Sequence, residues 1–159
     1  MSAITYETHR ETQSQTKPYI GVLEQRRIFM LEDNLVNQML ALKLLRGAGA
    51  DVVFERWGTH TLTKLRRAGD VDIILLDLMI SDTISGFDIF DAIRTLREFD
   101  RTPIAAVSAA DPYTTIPQLR ARGFSGFISK PLQRATFAPM IARLIAGEQL
   151  WSVDYGVLV

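Results

Sequence analysis

The sequence predicts an α/β domain: a doubly wound parallel sheet of five strands with helices packed on both faces. Three features carry the prediction. From Arg27 onward, short β-rich apolar runs alternate with amphipathic stretches, the pattern of a parallel sheet buried beneath helices. The stretches between the runs carry apolar residues at helical spacing, with glycines where helices should stop. The runs end in polar or charged residues, as expected where a doubly wound sheet presents the carboxyl ends of its strands to a ligand.

Residues 1–26 begin polar and rich in Thr, Gln and Glu, then gain a small apolar patch at Tyr19, Ile20, Val22 and Leu23; they read as a tail or arm. The body of the domain is expected over residues 27–147, with its first strand at Arg27–Leu31. Asn34 suits a helix N-cap. Leu35, Met39, Leu42 and Leu45 then fall at i, i+4, i+7 and i+10, and Gly47 and Gly49 suit the stop. The second strand is expected at Asp51–Glu55, followed by a helix over Thr59–Ala68 closed by Gly69. A third strand, Val71–Leu76, leads to a helix over Gly86–Phe99 in which Ile89, Ile93 and Leu96 form a buried stripe.

The fourth strand is expected at Pro103–Val107. Because Pro117 lacks an amide hydrogen, the helix after it should start near Ile116 and make about two turns before Gly123, leaving Asp111–Thr115 as loop. A fifth strand, Gly126–Ser129, precedes a last helix over Thr136–Ala146, with Pro139 in its first turn. Residues 148–159 form an apolar extension. Here Trp151, Val153, Tyr155 and Val157 alternate with Ser152, Asp154 and Gly156, the period of a half-buried strand. Such a strand would add to a sheet edge, join a second subunit in a homodimer, or pack locally on its own domain.

Composition narrows the function classes. At 159 residues and 47% hydrophobic content the chain is sized for one domain with an ordinary core. Lys plus Arg and Asp plus Glu both number 18, so no broad charge draws the protein to nucleic acid or to a membrane surface. The absence of cysteine removes disulfides, thiolate metal sites and cysteine catalysis. With no leader-like segment and no apolar run of about 18 residues, a soluble cytoplasmic protein is expected. The two histidines, His9 and His60, sit in no pattern suggesting a ligand or a phosphohistidine.

The strand ends hold the informative residues. Strand one ends in Glu32 and Asp33, strand three in Asp77, strand four in Ser108, and strand five in Lys130 before Pro131. Three neighbouring carboxylates repel each other, and a hard divalent ion with oxygen ligands relieves the repulsion; Mg²⁺, or Mn²⁺ in its place, suits the set. Lys130 adds a fixed positive charge, and the proline after it favours an extended backbone. The Ser108 hydroxyl can donate to an oxyanion. Together these groups suit phosphoryl chemistry. Plainer readings stand beside it: a helix cap for the acidic pair, a strand-end serine for Ser108, static core for Phe127.

Taken in order, Glu32-Asp33-Asn34 followed by Asn37, Asp77-Leu78-Met79, the Gly86-Phe87-Asp88 helix start, Ser108-Ala109 and Lys130-Pro131 resemble the receiver domain of two-component response regulators. The resemblance covers roughly Arg27 to Gly147 and implies a flavodoxin-like strand order, 2-1-3-4-5. It implies that Asp77 accepts a phosphoryl group from a sensor histidine kinase or a phosphotransfer protein, as a signalling phosphoacceptor and not as an enzyme. Glu32, Asp33, Asp77 and the backbone carbonyl of Met79 would hold Mg²⁺ or Mn²⁺, and Lys130 would steady the phosphoryl charge. Ser108 would close on the phosphoryl oxygens, and Phe127 would pack inward as an aromatic switch. The output would be contact with a downstream protein whose identity the residues do not give. With room after Lys130 for one helix and a tail, no DNA-binding output domain is expected.

Two other functions compete with this one. The first is a phosphorylation-independent binding module that keeps the fold and has lost the switch. The second is a small flavodoxin-like or phosphatase-type enzyme, disfavoured because no glycine-rich phosphate loop is present and Met79, not aspartate, stands two residues after Asp77.

The sequence also departs from the family pattern. Ser81 stands where proline is usual, and the stretch Ser81–Ser85 is one residue longer, which predicts a looser loop. Met79 and Ala110 occupy positions that tune dephosphorylation in the family; neither can orient a water, so a long-lived phosphoform is expected. The prolines near helices four and five predict a surface unlike the common dimer face.

Overall fold

The computed structural model describes residues 21–153 and 156–158. Its elements are β1 (Arg27–Leu31), α1 (Leu35–Gly47), β2 (Asp51–Glu55), α2 (Thr61–Ala68), β3 (Ile73–Leu76), α3 (Gly86–Ile93), β4 (Ile104–Ser108), α4 (Pro112–Arg122), β5 (Gly126–Ser129), α5 (Phe137–Ile145), β6 (Leu150–Val153) and β7 (Gly156–Leu158). No helix among the described residues is long and apolar enough to cross a membrane. The sheet order is β2-β1-β3-β4-β5-β6-β7. All strands through β6 pair in parallel, and β7 returns antiparallel.

The doubly wound parallel sheet is as expected, but it carries two strands more than the five foreseen. Of the placements open to the C-terminal extension, the chain uses its own sheet edge: Leu150 and Trp151 pair with Gly126 and Phe127 of β5. Tyr155 and Asp154 lie outside the described residues.

Alternate residues of β1, β3, β4 and β5 feed separate cores, as the period of a pleated sheet requires. Ile28 and Met30, Ile73 and Leu75, Ala105 and Val107, and Ile128 meet α1 and α5 on one face. Phe29 and Leu31, Ile74 and Leu76, Ala106, and Phe127 meet Leu65, Ile89, Phe90, Ile93 and Leu119 on the other. Each Leu, Ile, Val, Met or Phe side chain among them contributes about 1.5–3 kcal/mol on full burial. Leu23, ahead of β1, belongs to the first core, and its amide donates to Ala48 O at 2.9 Å.

Three helices differ from expectation. In α1, Leu45 is buried as foreseen, but Leu35 and Met39 are 54% and 70% exposed, and the inward face runs through Ala41 instead. Alanine gives too weak an apolar signal to set the phase. Helix α3 ends at Ile93, six residues early, because the chain tightens into a single 3-10 turn at Arg97–Phe99. Arg94 holds that turn by donating to Phe99 O at 2.6 Å and Thr102 O at 3.0 Å.

Helix α4 starts at Pro112, so Asp111–Thr115 is not a free loop. Asp111 caps it by accepting from the Tyr113 and Thr114 amides, each at 3.3 Å, and Pro112 fits the first position, where no amide is needed. Pro117 then lies inside the helix; burial of Ile116 and Leu119 and the left-handed Gly123 stop (φ 94°) outweigh its lost hydrogen bond. In α5, Pro139 falls in the first turn as expected.

Candidate functional site

The winding direction reverses between β1 and β3, and the acidic residues stand at the carboxyl ends of those two strands. Glu32, directly after β1, is fully buried, and its amide donates to Glu55 O at 3.1 Å. Its Oε1 accepts from the Asn34 amide at 3.0 Å, and its carbonyl accepts from Gln38 Nε2 at 2.7 Å. The carbonyl of half-buried Asp33 accepts from Arg56 Nη2 at 3.2 Å. Asp77, directly after β3, is 5% exposed, and its amide donates to Leu31 O at 3.0 Å, which ties β3 to β1 beside the acidic pair.

Lys130 reaches this rim from the end of β5. Its Nζ donates to Asp77 Oδ2 at 2.7 Å and lies 2.5 Å from Glu32 Oε2. The other Asp77 oxygen, Oδ1, accepts from the Met79 amide at 3.0 Å. One oxygen from each of Glu32, Asp33 and Asp77 lies within 4.8 Å of the others. The structure therefore brings together the three acids and the lysine that the sequence singled out. The Lys130–Pro131 peptide bond is cis.

The electrostatics of the cluster favour a cation. Three carboxylates against one ammonium leave a formal charge of two minus in a nearly closed rim. Burial pushes the Glu32 carboxyl above its ordinary range, and the Lys130 ammonium and the Asn34 amide offset this only in part. Glu32 Oε2 is buried without a hydrogen bond of good geometry, although the ammonium is close. Burial would lower the Lys130 ammonium, but its bonds to Asp77 and Glu32 outweigh that and raise it. An all-oxygen donor set, with one oxygen from each of three acids within 4.8 Å of the others, fits a hard divalent ion such as Mg²⁺.

The remaining residues line the approach. Ser108, at the end of β4, is fully buried, and its Oγ accepts from the Ala110 amide at 3.2 Å. Its carbonyl accepts from the Lys130 amide at 3.0 Å, linking the ends of β4 and β5. Phe127 is fully buried in mid-β5. Met79 is 66% exposed, whereas Ala110 is half-buried. The longer loop is tied internally: Ser81 Oγ accepts from the Thr83 and Ile84 amides at 3.3 and 3.1 Å. Gly86 starts α3 where any Cβ would stand 2.3 Å from Asp77 O, so glycine alone lets this helix approach the acceptor strand.

Sequence reading missed several supports. Gln38 and Arg56 hold the backbone of the acidic pair, yet each reads in sequence as an ordinary polar residue. Glu55 is 1% exposed and ties the β2–α2 loop by accepting from the Trp57 amide (3.0 Å), the Gly58 amide (2.6 Å) and Thr61 Oγ1 (2.9 Å). A carboxylate ending a strand, with glycine and threonine after it, was the available signal. His60 is exposed at the start of α2, and His9 lies outside the described residues.

A family model described as the response regulator receiver domain matches residues 28–142. Among curated proteins, the chain is 25% identical over 157 residues to histidine kinase 2 of Arabidopsis thaliana, covering 84% of this chain and 13% of that protein. It is 28% identical over 122 residues to hybrid signal transduction histidine kinase L of Dictyostelium discoideum, covering 74% of this chain and 7% of that protein. The chain thus spans a small part, 7–18%, of the curated relatives it matches.

Among solved structures, it is similar to the receiver domain of sensor histidine kinase PA1611 from Pseudomonas aeruginosa, described with a magnesium ion coordinated in the active site cleft. The TM-score is 0.67 and the identity 26%, over 76% of this chain and 98% of that one. The chemotaxis protein CheY4 of Vibrio cholerae shares the fold, with TM-score 0.69 and 21% identity over 75% of this chain and 98% of that one.

Proposed function

The chain belongs to the response regulator receiver domain family, and on that premise we propose that it accepts a phosphoryl group on Asp77 in a Mg²⁺-dependent reaction. One observation carries the reading: Lys130 Nζ contacts both Asp77 and Glu32 at a point where one oxygen from each of three acids lies within 4.8 Å. The relatives are histidine kinases, so the phosphoryl donor is a phosphohistidine of a sensor kinase or of a phosphotransfer protein.

In the transfer, an Asp77 carboxylate oxygen forms a bond to phosphorus while the phosphorus–nitrogen bond to the donor imidazole breaks. The bonding electron pair stays on nitrogen, which a proton then neutralises. The transition state is loose, so alignment and charge neutralisation supply the rate. Glu32, Asp33, Asp77 and the Met79 carbonyl would hold Mg²⁺, or Mn²⁺ in its place, which would supply charge neutralisation at the phosphoryl oxygens. Lys130 exchanges part of its contact with Asp77 for the phosphoryl oxygens. The Ser108 hydroxyl turns to donate to them, and Phe127 follows into the space it leaves. Output then passes through protein contacts, a reading supported by the absence of net charge.

The test is a titration of Mg²⁺ with beryllofluoride, a phosphoryl mimic, on the wild type and on Asp77→Asn. A saturable response in the wild type alone is expected. An equal response in both proteins, or none in either, refutes the reading.

A further inference from the structure

We propose that the seating of Trp151 on β6 reports the state of Asp77; the inference rests on the phosphoacceptor reading above. Strand β6 lies parallel against β5, pairing Leu150 with Gly126 and Trp151 with Phe127. On its other side Phe127 pairs with Ala106 of β4, two residues before Ser108. The strand β5 itself ends at Ser129, directly before Lys130. Trp151 therefore stands one strand away from the aromatic that would move, on a strand whose end carries the lysine that would bind the phosphoryl group.

The packing makes this neighbourhood a physical connection. Trp151 is 3% exposed and Phe127 fully buried, and both belong to the apolar core that includes Leu76, the residue before Asp77, with Ile116 and Leu119 of α4. The Arg120 guanidinium closes the seat from α4, with its carbon 4.7 Å from the Trp151 ring centroid, a cation–π contact. The seat is also specified in the backbone. A Cβ at Gly126 would stand 2.4 Å from Leu150 O and 2.9 Å from Leu144 Cδ2, so only glycine lets β6 lie this close.

Close-packed interiors respond to a moved aromatic by discrete repacking, not by smooth deformation. A change in the Phe127 rotamer alters one wall of the Trp151 seat, which α4, with Pro117 inside it, and the returning strand β7 also border. Strand β6, paired with β5 on one side and β7 on the other, is then the element that takes up the change.

The chain holds two tryptophans, so Trp57→Phe leaves Trp151 as the sole emitter. In that background, on the full chain, acrylamide quenching of Trp151 is measured with Mg²⁺ alone and with Mg²⁺ and beryllofluoride, while a bound fluorine resonance reports occupancy. The expected result is a several-fold change in quenching that follows occupancy and vanishes in Asp77→Asn. Occupancy without change in Trp151 overturns this inference and leaves the phosphoacceptor reading intact. No occupancy at all overturns both. Gly126→Ala provides a second arm: Trp151 quenching should rise without beryllofluoride while beryllofluoride still binds. Unchanged quenching in that variant also overturns the inference.

Discussion

At the scale of single residues, the Glu32, Asp77 and Lys130 side chains at the rim are each held by a partner from a different element. Asp77 takes the Met79 amide on one oxygen and Lys130 on the other, which leaves its carboxylate aimed and its lysine in reserve. Neither exposed Met79 nor Ala110 can hydrogen-bond a water through its side chain. A polar residue at either position should therefore shorten the life of the phosphoform. Met79→Asn is expected to speed loss of the acyl phosphate several-fold, followed by decay after loading with a small phosphodonor; an unchanged half-life contradicts the role assigned to this position. Glu55 yields a pH prediction. Burial would raise its pKa, but the bonds from Trp57, Gly58 and Thr61 hold it below its ordinary value. A depressed carboxyl adds stability above the unfolded pKa of about 4.3, and that stability is lost as pH falls through the folded value. Glu55→Gln should cost roughly 1–3 kcal/mol near neutral pH, and the gap to wild type should narrow in acid, as read by urea unfolding at several pH values. A constant gap across pH contradicts the account. The four charged residues at the rim were legible in sequence because each ends a strand; Gln38 and Arg56 were not, because nothing in a sequence marks a side chain that serves a distant carbonyl.

At the scale of elements, glycines and prolines set where helices begin and how near they come to the site. Gly86 is the clearest case. The Ser85–Asp88 capping box fixes the start of α3, with Asp88 accepting from the Ser85 amide at 3.1 Å, and the missing Cβ lets that start rest on the Asp77 backbone. Gly86→Ala should destabilise the fold by roughly 1–3 kcal/mol, as overpacking does. It should also weaken Mg²⁺ binding, because Asp77 must shift; calorimetric titration showing wild-type affinity contradicts this positioning. The helices that differ from sequence expectation have physical causes. Pro117 argues locally for a late start to α4, yet the Asp111 cap and Pro112 at the first position start it earlier, and buried Ile116 and Leu119 carry it past the break. The α1 phase was misjudged because Leu35 and Met39 outweigh Ala41 on any hydrophobic scale, although α1 leaves both exposed.

At the scale of the molecule, the alternation of runs and stretches was enough to give a parallel doubly wound sheet and the end of it at which polar residues gather. The two further strands were only half legible. A period-two pattern at residues 151–157 announces a strand, but the edge it joins depends on the Gly126 gap and the Trp151 seat, which exist only once β5 and α4 are in place. The result is a sheet in which the acceptor strand β3, then β4, the aromatic strand β5 and β6 follow in order, with β7 beyond them. The most direct test of the central claim is to incubate the protein with Mg²⁺ and a small-molecule phosphodonor, then map the acyl phosphate by mass spectrometry. The account predicts one phosphoryl group, on Asp77, strongly reduced in Lys130→Ala and absent without the divalent ion. Modification at another residue, or equal labelling of Asp77→Asn, would contradict it.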